Sequence, residues 1–323
     1  MTQSLITSAS VHTPVIMPDF DEFVGQSACM QKLYAMIAAA AAMECNVMIS
    51  GETGTGKDLT ARSLHRRSPR AQAPFISLNC AALARDLVDS ELFGHKRGAF
   101  TGAGHDYTGV LARAQGGTLF LDEITELPAP LQAKLLHVVE SGHYRRLGDD
   151  REYRADVRII AATNRDTAQA RADGVLRDDL YHRLGALHIT LPPLRQRGDG
   201  DIARLVAYLL QNMHLARCTL DDSAHAWLAR QVWPGNVREL ANTLRHALAF
   251  TQHNGTLRAW HFARDDIPSP QPHTPLGPLT SLEHMERAAI EQAIAMHQGN
   301  LSAAARTLGI DVSTLHRKRK RWQ

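Results

Sequence analysis

The chain is expected to fold as an α/β protein, a parallel sheet between helices, followed by a small helical lid and a separate C-terminal helical module. Three observations predict this. Short runs that are apolar on both faces alternate with helix-sized segments up to about Leu194; from Asp199 the pattern turns helical; and five prolines crowd Asp265–Leu279. Strands covered by helices on both faces read as unbroken apolar runs, because neither face meets water.

Residues 1–20 carry no clear periodicity and read as a loose arm. The α/β part spans 21–196, with strand-like runs at Asn46–Ser50, Phe75–Asn79, Thr118–Leu121 and Val157–Ala162 and another at Leu187–Leu191. The Ala-rich stretch Tyr34–Met43 is too short and too weakly apolar to span a bilayer, and reads as a packed amphipathic helix. The lid is assigned to 197–264 and an extended, semi-rigid tether to 265–279, where Pro268, Pro270, Pro272, Pro275 and Pro278 disfavour a packed element. In 280–323, Thr280 with Glu283 forms a capping box, and Leu282, Met285, Ala289, Ile290, Ala293 and Ile294 recur at helical spacing.

The chain has 323 residues, 44% hydrophobic and 21% charged, the composition of an ordinary globular protein with material for a sizeable core. Its net charge of +3 is unevenly spread. From Arg306 onward six basic side chains face one acid, so that tail is +5 and the remainder −2. A basic terminus on a mildly acidic body is the footprint of a nucleic-acid contact. The four cysteines contain no CxxC pair and fit a reducing cytosol better than a disulfide framework or a zinc module. Seventeen histidines fall in no HExxH-like pattern, and no signal-peptide pattern opens the chain. A structural metal, a membrane and an exported location are therefore not expected.

Two motifs carry chemistry. Gly51, Glu52, Thr53, Gly54, Thr55, Gly56, Lys57 and Asp58 follow a strand and open a helical stretch. The glycines let backbone N–H groups converge on phosphate oxygens, the helix N-terminus adds positive potential, and Lys57 reaches the β- and γ-phosphates. Asp58 stands where the general pattern has Ser or Thr for magnesium, and a tight turn with a surface lysine is the alternative. The run Thr118–Glu123 is a buried strand ending in two acids, Asp122 and Glu123. Carboxylates at the C-terminal end of a central strand lie where open α/β sheets bind ligands. Asp122 is suited to magnesium and Glu123 to polarising water; a helix N-cap accounts for one acid but not both. ATP and Mg2+ are the expected cofactors.

Glu91–Ala103 includes Gly98, Ala99, Phe100, Thr101, Gly102 and Ala103. An aromatic between glycines, with neither strand nor helix period, places an apolar group on a loop tip, which is usually a binding element. The alternative is a turn whose Phe100 folds back into the core. This segment closely resembles the sigma-54 contact loop in the AAA+ domain of sigma-54-dependent activators, the bacterial enhancer-binding proteins, and the resemblance runs from about Phe23 to the C-terminus. It implies an AAA+ P-loop ATPase whose loop grips sigma-54, through Phe100 and Thr101 above all, and remodels the RNA polymerase closed complex into an open complex. The family usually has Glu after the P-loop lysine, so Asp58 is a mild variant of a family feature.

Other positions carry over by the same resemblance. Asn79 matches the asparagine that couples Glu123 to nucleotide state, and Asn164 after Thr163 matches sensor I. Arg177 and Arg183 match the pair offered to a neighbouring subunit's nucleotide, with Leu176 where the family has Phe; surface ion pairing is their alternative. Arg238, in Trp233–Leu240, matches sensor II, and Phe23, Val24 and Gly25 lie where the adenine packs. A homohexameric ring is implied.

Residues 299–319 resemble a Fis-type helix-turn-helix. Asn300 is placed to cap a helix with Ala304 and Leu308 inward, Gly309 allows the turn, and Ile310 plugs the core. Ser302, Arg306, Ser313, Thr314, His316, Arg317 and Lys318 become the DNA-facing candidates, phosphates being met by the basic ones. Arg319 replaces a leucine the family usually keeps. An amphipathic helix with a charged end is the plainer alternative. A regulator that no longer remodels sigma-54 would be expected to have lost the loop or the acid pair, and an AAA+ machine with another target predicts neither loop nor helix-turn-helix. About 20 residues precede the ATPase part, too few for a receiver, GAF or PAS domain. Control by expression level or by a separate regulatory protein is the expectation, in a cytoplasmic protein.

Overall fold

The computed structural model describes residues 17–82, 84–213, 218–249, 255–262, 290, 294, 300–307 and 310–321. They belong to two compact units, Met1–Ala263 and Arg264–Gln323.

In the first unit, β1 (Val47–Ser50), β2 (Phe75–Asn79), β3 (Thr118–Asp122), β6 (Arg158–Thr163) and β7 (Leu187–Thr190) form one sheet in the order β2-β3-β6-β1-β7. Every pairing in it is parallel. Period-two alternation divides these strands between two layers. Met48, Leu119, Leu121, Ile159 and Ala161 point into one apolar cluster, which α3 (Arg85–Phe93), α4 (Val110–Arg113), α5 (Ala129–Ser141) and α7 (Asp178–Leu184) cover. Val47, Ile49, Phe120, Ile160 and Ala162 point into the other, covered by α1 (Ala28–Ala41) and α2 (Lys57–Arg66). The five expected strands are therefore present, and β6, paired on both sides, is buried at all six positions.

Polar groups inside this layer have structural partners. The buried Arg158 guanidinium donates to the carbonyls of Ala40, Ala41 and Cys45, closing the C-terminal end of α1. Burial pushes its pKa down. Between layers and solvent run α6 (Thr167–Ala172) and an antiparallel hairpin, β4 (His143–Arg145) with β5 (Glu152–Arg154). The sequence pattern did not call for this hairpin, since three-residue strands are too short to show a period.

The lid packs α8 (Asp199–Asn212), α9 (Asp222–Arg230), α10 (Asn236–Ala249) and α11 (Ala259–Phe262) around Ile202, Leu205, Leu228, Trp233, Leu240 and Leu244. It departs from the all-helical expectation at one point. Thr219–Leu220 (β8) and Thr256–Leu257 (β9) pair as a two-residue parallel ladder.

In the second unit, α12 (Leu301–Thr307) and α13 (Val312–Arg321) pack through buried Ala305 and Leu315 with Ile290. Asn300 Oδ1 accepts from Ala303 N at 3.2 Å, the cap expected for α12. Asp311 Oδ1 accepts from Ser313 N at 2.8 Å at the start of α13. The expected tether at 265–279, the turn residues Leu308 and Gly309, and the side chains of Ala304 and Arg319 lie outside the described residues. The four cysteines are free. Among the described residues no helix is long and apolar enough to cross a membrane, and no three His, Cys, Asp or Glu cluster for a metal.

Candidate nucleotide-binding site

At the C-terminal ends of β1 and β3 a cleft of about 410 Å³ opens, lined by Thr53, Gly54, Thr55, Gly56, Lys57, Asp58, Asn79, Asp122, Glu123, Val24 and Arg238. The loop between β1 and α2 curls because Gly54 and Gly56 adopt φ of +79° and +110°, conformations that a β-carbon disfavours. Lys57 folds back over it, donating from Nζ to Gly51 O at 2.9 Å, with Glu123 Oε1 3.7 Å away. Thr55 N and Oγ1 both donate to Glu52 O.

The acid pair sits on the opposite wall. Asp122 is raised above the ordinary carboxylate range, first by burial and then by the negative charge of Glu123. Such a pair calls for a cation, and one carboxylate with phosphate oxygens and water is a common magnesium environment. Glu123 Oε2 accepts from the backbone N of Asn164 at 3.0 Å, while Asn164 Nδ2 donates to Thr53 Oγ1 at 3.2 Å. Asn79 Nδ2 donates to Asp122 Oδ2 at 3.2 Å and Asn79 Oδ1 accepts from Ala81 N. In this conformation Asn79 therefore touches the carboxylate of Asp122 and has no bond to Glu123. Asp58 stands at the rim and pairs with Arg62 at 2.8 Å, one helical turn on.

The N-terminal segment and the lid complete the cleft. Val24 is buried in its wall beside Leu205, Tyr208 and Leu209 of α8 and Val237 and Ala241 of α10. Gly25 lies behind it, its N–H donating to Asp19, and a β-carbon there would sit 2.8 Å from Asp201 Oδ2. Three lid-side groups were not anticipated. Arg197 lines the cleft with a buried guanidinium that donates to Thr55 O at 2.9 Å, and burial depresses its pKa. Arg195 grips Glu52, and Asn236 reaches Glu52 and Thr53. Isolated polar residues carry no sequence signal that separates such contacts from a solvated surface.

Two predicted groups lie elsewhere. Arg177 makes a bidentate pair with Asp179 at 3.1 and 2.7 Å, and Arg183 donates to Glu140 at 3.0 Å. Both are exposed, and neither lines the cleft of its own chain.

The Gly98–Ala103 loop projects from a short stem. His95 and Tyr107 exchange backbone hydrogen bonds, and Asp106 accepts from Lys96 Nζ at 2.7 Å and from Arg97 N at 2.9 Å. Gly98 N donates to Ala103 O, with Gly98 and Gly102 at positive φ. Phe100 is 39% exposed, its ring edge-on to His95 at 5.0 Å. It is thus partly shielded by the stem and is not folded into the core. The basic triplet His95, Lys96 and Arg97 is resolved into parts: His95 is buried against Ser90 Oγ, Lys96 clasps the stem, and the Arg97 side chain is exposed.

In the C-terminal unit Arg306, Ser313 and Arg317 are exposed and Thr314 and Lys318 half-buried. Ser302 and His316 belong to α12 and α13 by backbone, and their side chains lie outside the described residues.

Comparison with known proteins gives three family matches along the chain. Residues 23–190 match the sigma-54 interaction domain, 195–275 an AAA+ ATPase lid domain, and 281–322 the Fis family of bacterial regulatory proteins. The anaerobic nitric oxide reductase transcription regulator NorR of Aeromonas hydrophila is 44% identical over 324 residues, which cover 94% of this chain and 64% of that protein. The chain thus spans less than two thirds of the length of such curated relatives. NtrX from Brucella abortus, crystallised in complex with ATP, superposes with a TM-score of 0.70 at 31% identity, covering 93% of this chain and 69% of that one. The Thermotoga maritima RuvB branch migration motor shares the fold alone, with a TM-score of 0.51 at 18% identity over 94% of this chain and 88% of that one. With more than half its length matched to the sigma-54 interaction domain, and with the lid and Fis-type modules behind it, the chain belongs to the family of sigma-54-dependent transcription activators.

Proposed function

We propose that the protein binds and hydrolyses ATP and uses the resulting movement of the Gly98–Ala103 loop to remodel sigma-54 RNA polymerase from a closed to an open promoter complex, anchored to enhancer DNA by 280–323. The observation that carries this reading is the convergence of Lys57, Asp122, Glu123 and Asn164 on one cleft, in a chain that also presents the loop.

In this reading the backbone of Gly51–Lys57 cradles the phosphates and Lys57 leaves Gly51 O to meet them. Asp122 holds Mg2+, whose charge, when bound, offsets that developing on the transferred phosphoryl group. Glu123 orients and deprotonates the attacking water, and Asn164 holds its carboxylate in place. Asn79 exchanges Asp122 for Glu123 as nucleotide state changes. Val24 and Gly25 pack the adenine and Arg238 approaches the phosphates from the lid. Arg177 and Arg183 leave Asp179 and Glu140 to reach a neighbour's nucleotide in a homohexamer. Phe100 and Thr101 meet sigma-54. Arg306, Ser313, Thr314, Arg317 and Lys318, with Ser302 and His316, face DNA. The domain limits given above and a cytoplasmic location belong to the same proposal.

Glu123→Gln tests the engine: it is expected to keep nucleotide binding and to lower ATP turnover at least about 10²-fold. The promoter-level test is transcription from bound promoters with and without sigma-54. Equal firing in both strains would exclude the remodelling role.

A further inference from the structure

The outer half of the phosphate loop is held from both sides. On the sheet side, Asn164 ties Thr53 Oγ1 to Glu123 by the two bonds described above. On the lid side stands Asn236, the first residue of α10, with no solvent exposure. Its Nδ2 donates to Thr53 O at 3.0 Å and to Glu52 Oε2 at 3.2 Å, and its Oδ1 accepts from Leu194 N at 2.7 Å. Beside it Val237 N donates to Gly54 O at 3.1 Å. The two backbones are in contact, for a β-carbon on Gly54 would lie 2.2 Å from Gly235 O. Arg195 completes the clamp, gripping Glu52 at 2.5 and 2.8 Å and holding that carboxyl below its ordinary range.

Asn236 adopts φ +51°, a left-handed backbone that costs a non-glycine residue energy and persists only where surrounding contacts impose it. Glycine would take the same backbone more easily but would lose all the amide bonds. A carboxylate would keep the acceptor for Leu194 and lose the donor for Thr53. Only an asparagine supplies donor, acceptor and left-handed tolerance at once.

We infer that Asn236 is a positioning residue for ATP hydrolysis, locking Thr53 of the phosphate loop to the lid hinge at Leu194. It completes a hydrogen-bonded path from Glu123 through Asn164 and Thr53 to the chain segment that enters the lid. Whatever moves Glu123 when the γ-phosphate departs then moves the lid, because the links, none longer than 3.2 Å, form one unbroken chain of hydrogen bonds that is exposed at Asn164 and buried at Leu194. The inference rests on the ATPase reading above, and goes beyond it by assigning the coupling to a residue that does not line the cleft.

The test is steady-state ATPase with nucleotide binding on the full chain, for Asn236→Gly, Thr53→Val and the double variant. Asn236→Gly relieves the backbone and is expected to stay folded, as checked by its melting curve. It is expected to bind ADP within about twofold of the parent and to lower kcat about tenfold with little change in KM, as loss of buried hydrogen bonds far from the reacting atoms would. Thr53→Val leaves the backbone carbonyl and removes the hydroxyl, so its effect on kcat should largely vanish in the Asn236→Gly background. An unchanged kcat in Asn236→Gly, or kcat losses that simply add, would overturn the inference. A parent protein that turns over no ATP would instead sink the ATPase reading, which keeps the two failures apart.

Discussion

Glu123 takes φ +52° directly after the last residue of β3, a left-handed turn that swings its carboxylate toward Lys57 and Asn164 while Asp122 stays on the strand. Two adjacent acids thereby acquire different surroundings and different work. Asp122 shows this in its acidity. Its folded pKa lies above 3.8, raised by burial and by Glu123, so its favourable contribution is complete below the unfolded value and is lost as pH rises through the folded one. Ionised Asp122 therefore costs the nucleotide-free protein stability at neutral pH. Asp122→Asn is expected to raise the melting temperature there, with the gain shrinking as pH falls through the carboxylate range, while ATP turnover is lost. A melting temperature lowered at neutral pH would contradict this. The presence of both acids was legible in the run Thr118–Glu123. Their division of partners was not, because it depends on one backbone angle and on Asn164, brought beside Glu123 by a parallel neighbour strand.

At the scale of elements, sequence periodicity served well where an element is long enough to show it. Met48 and Ile49, adjacent in sequence, enter opposite clusters, as β pleating requires of a strand covered on both faces. The β4–β5 hairpin is too short for such a signature, yet it supports the Gly98–Ala103 loop. Lys96 N donates to Leu147 O and Leu147 N to Gly94 O, which seats the hairpin tip against the stem. There Gly148, at φ +68°, leaves no room for a side chain: a β-carbon would come within 2.8 Å of Ala99 Cβ. Gly148→Val is expected to lose about 1–3 kcal/mol of stability through its backbone and to displace Ala99 and the loop with it. Its ATPase should persist while complex formation with sigma-54, assayed by gel shift, falls. Undiminished complex formation would show that hairpin support is dispensable.

For the whole molecule, the informative arrangement is where the two arginines stand relative to the cleft. Arg177 and Arg183 are turned to carboxylates of their own chain, outside the cleft, and the cleft holds Lys57, Arg197 and Arg238 as its cations. If catalysis needs arginines in trans, Arg183→Ala should lower ATPase about 10³-fold or more while rings still form. Mixing Arg183→Ala subunits with Lys57→Ala subunits should then recover measurable turnover, since each supplies what the other lacks. A mixture as inactive as its parents would exclude the shared site.

The sequence by itself determined the local parts: the glycine-rich phosphate loop, the buried strand ending in two acids, the aromatic between two glycines and the basic C-terminal helix. Each depends on backbone freedom, periodicity or charge within a few neighbouring residues. Only the tertiary structure decided which side chains from distant elements meet them. Asn236 lies 183 positions from Thr53 and Arg195 lies 143 from Glu52. No periodicity spans such intervals; these contacts exist because the lid packs Val24, Leu194 and Trp233 into one core and so sets α10 against the phosphate loop.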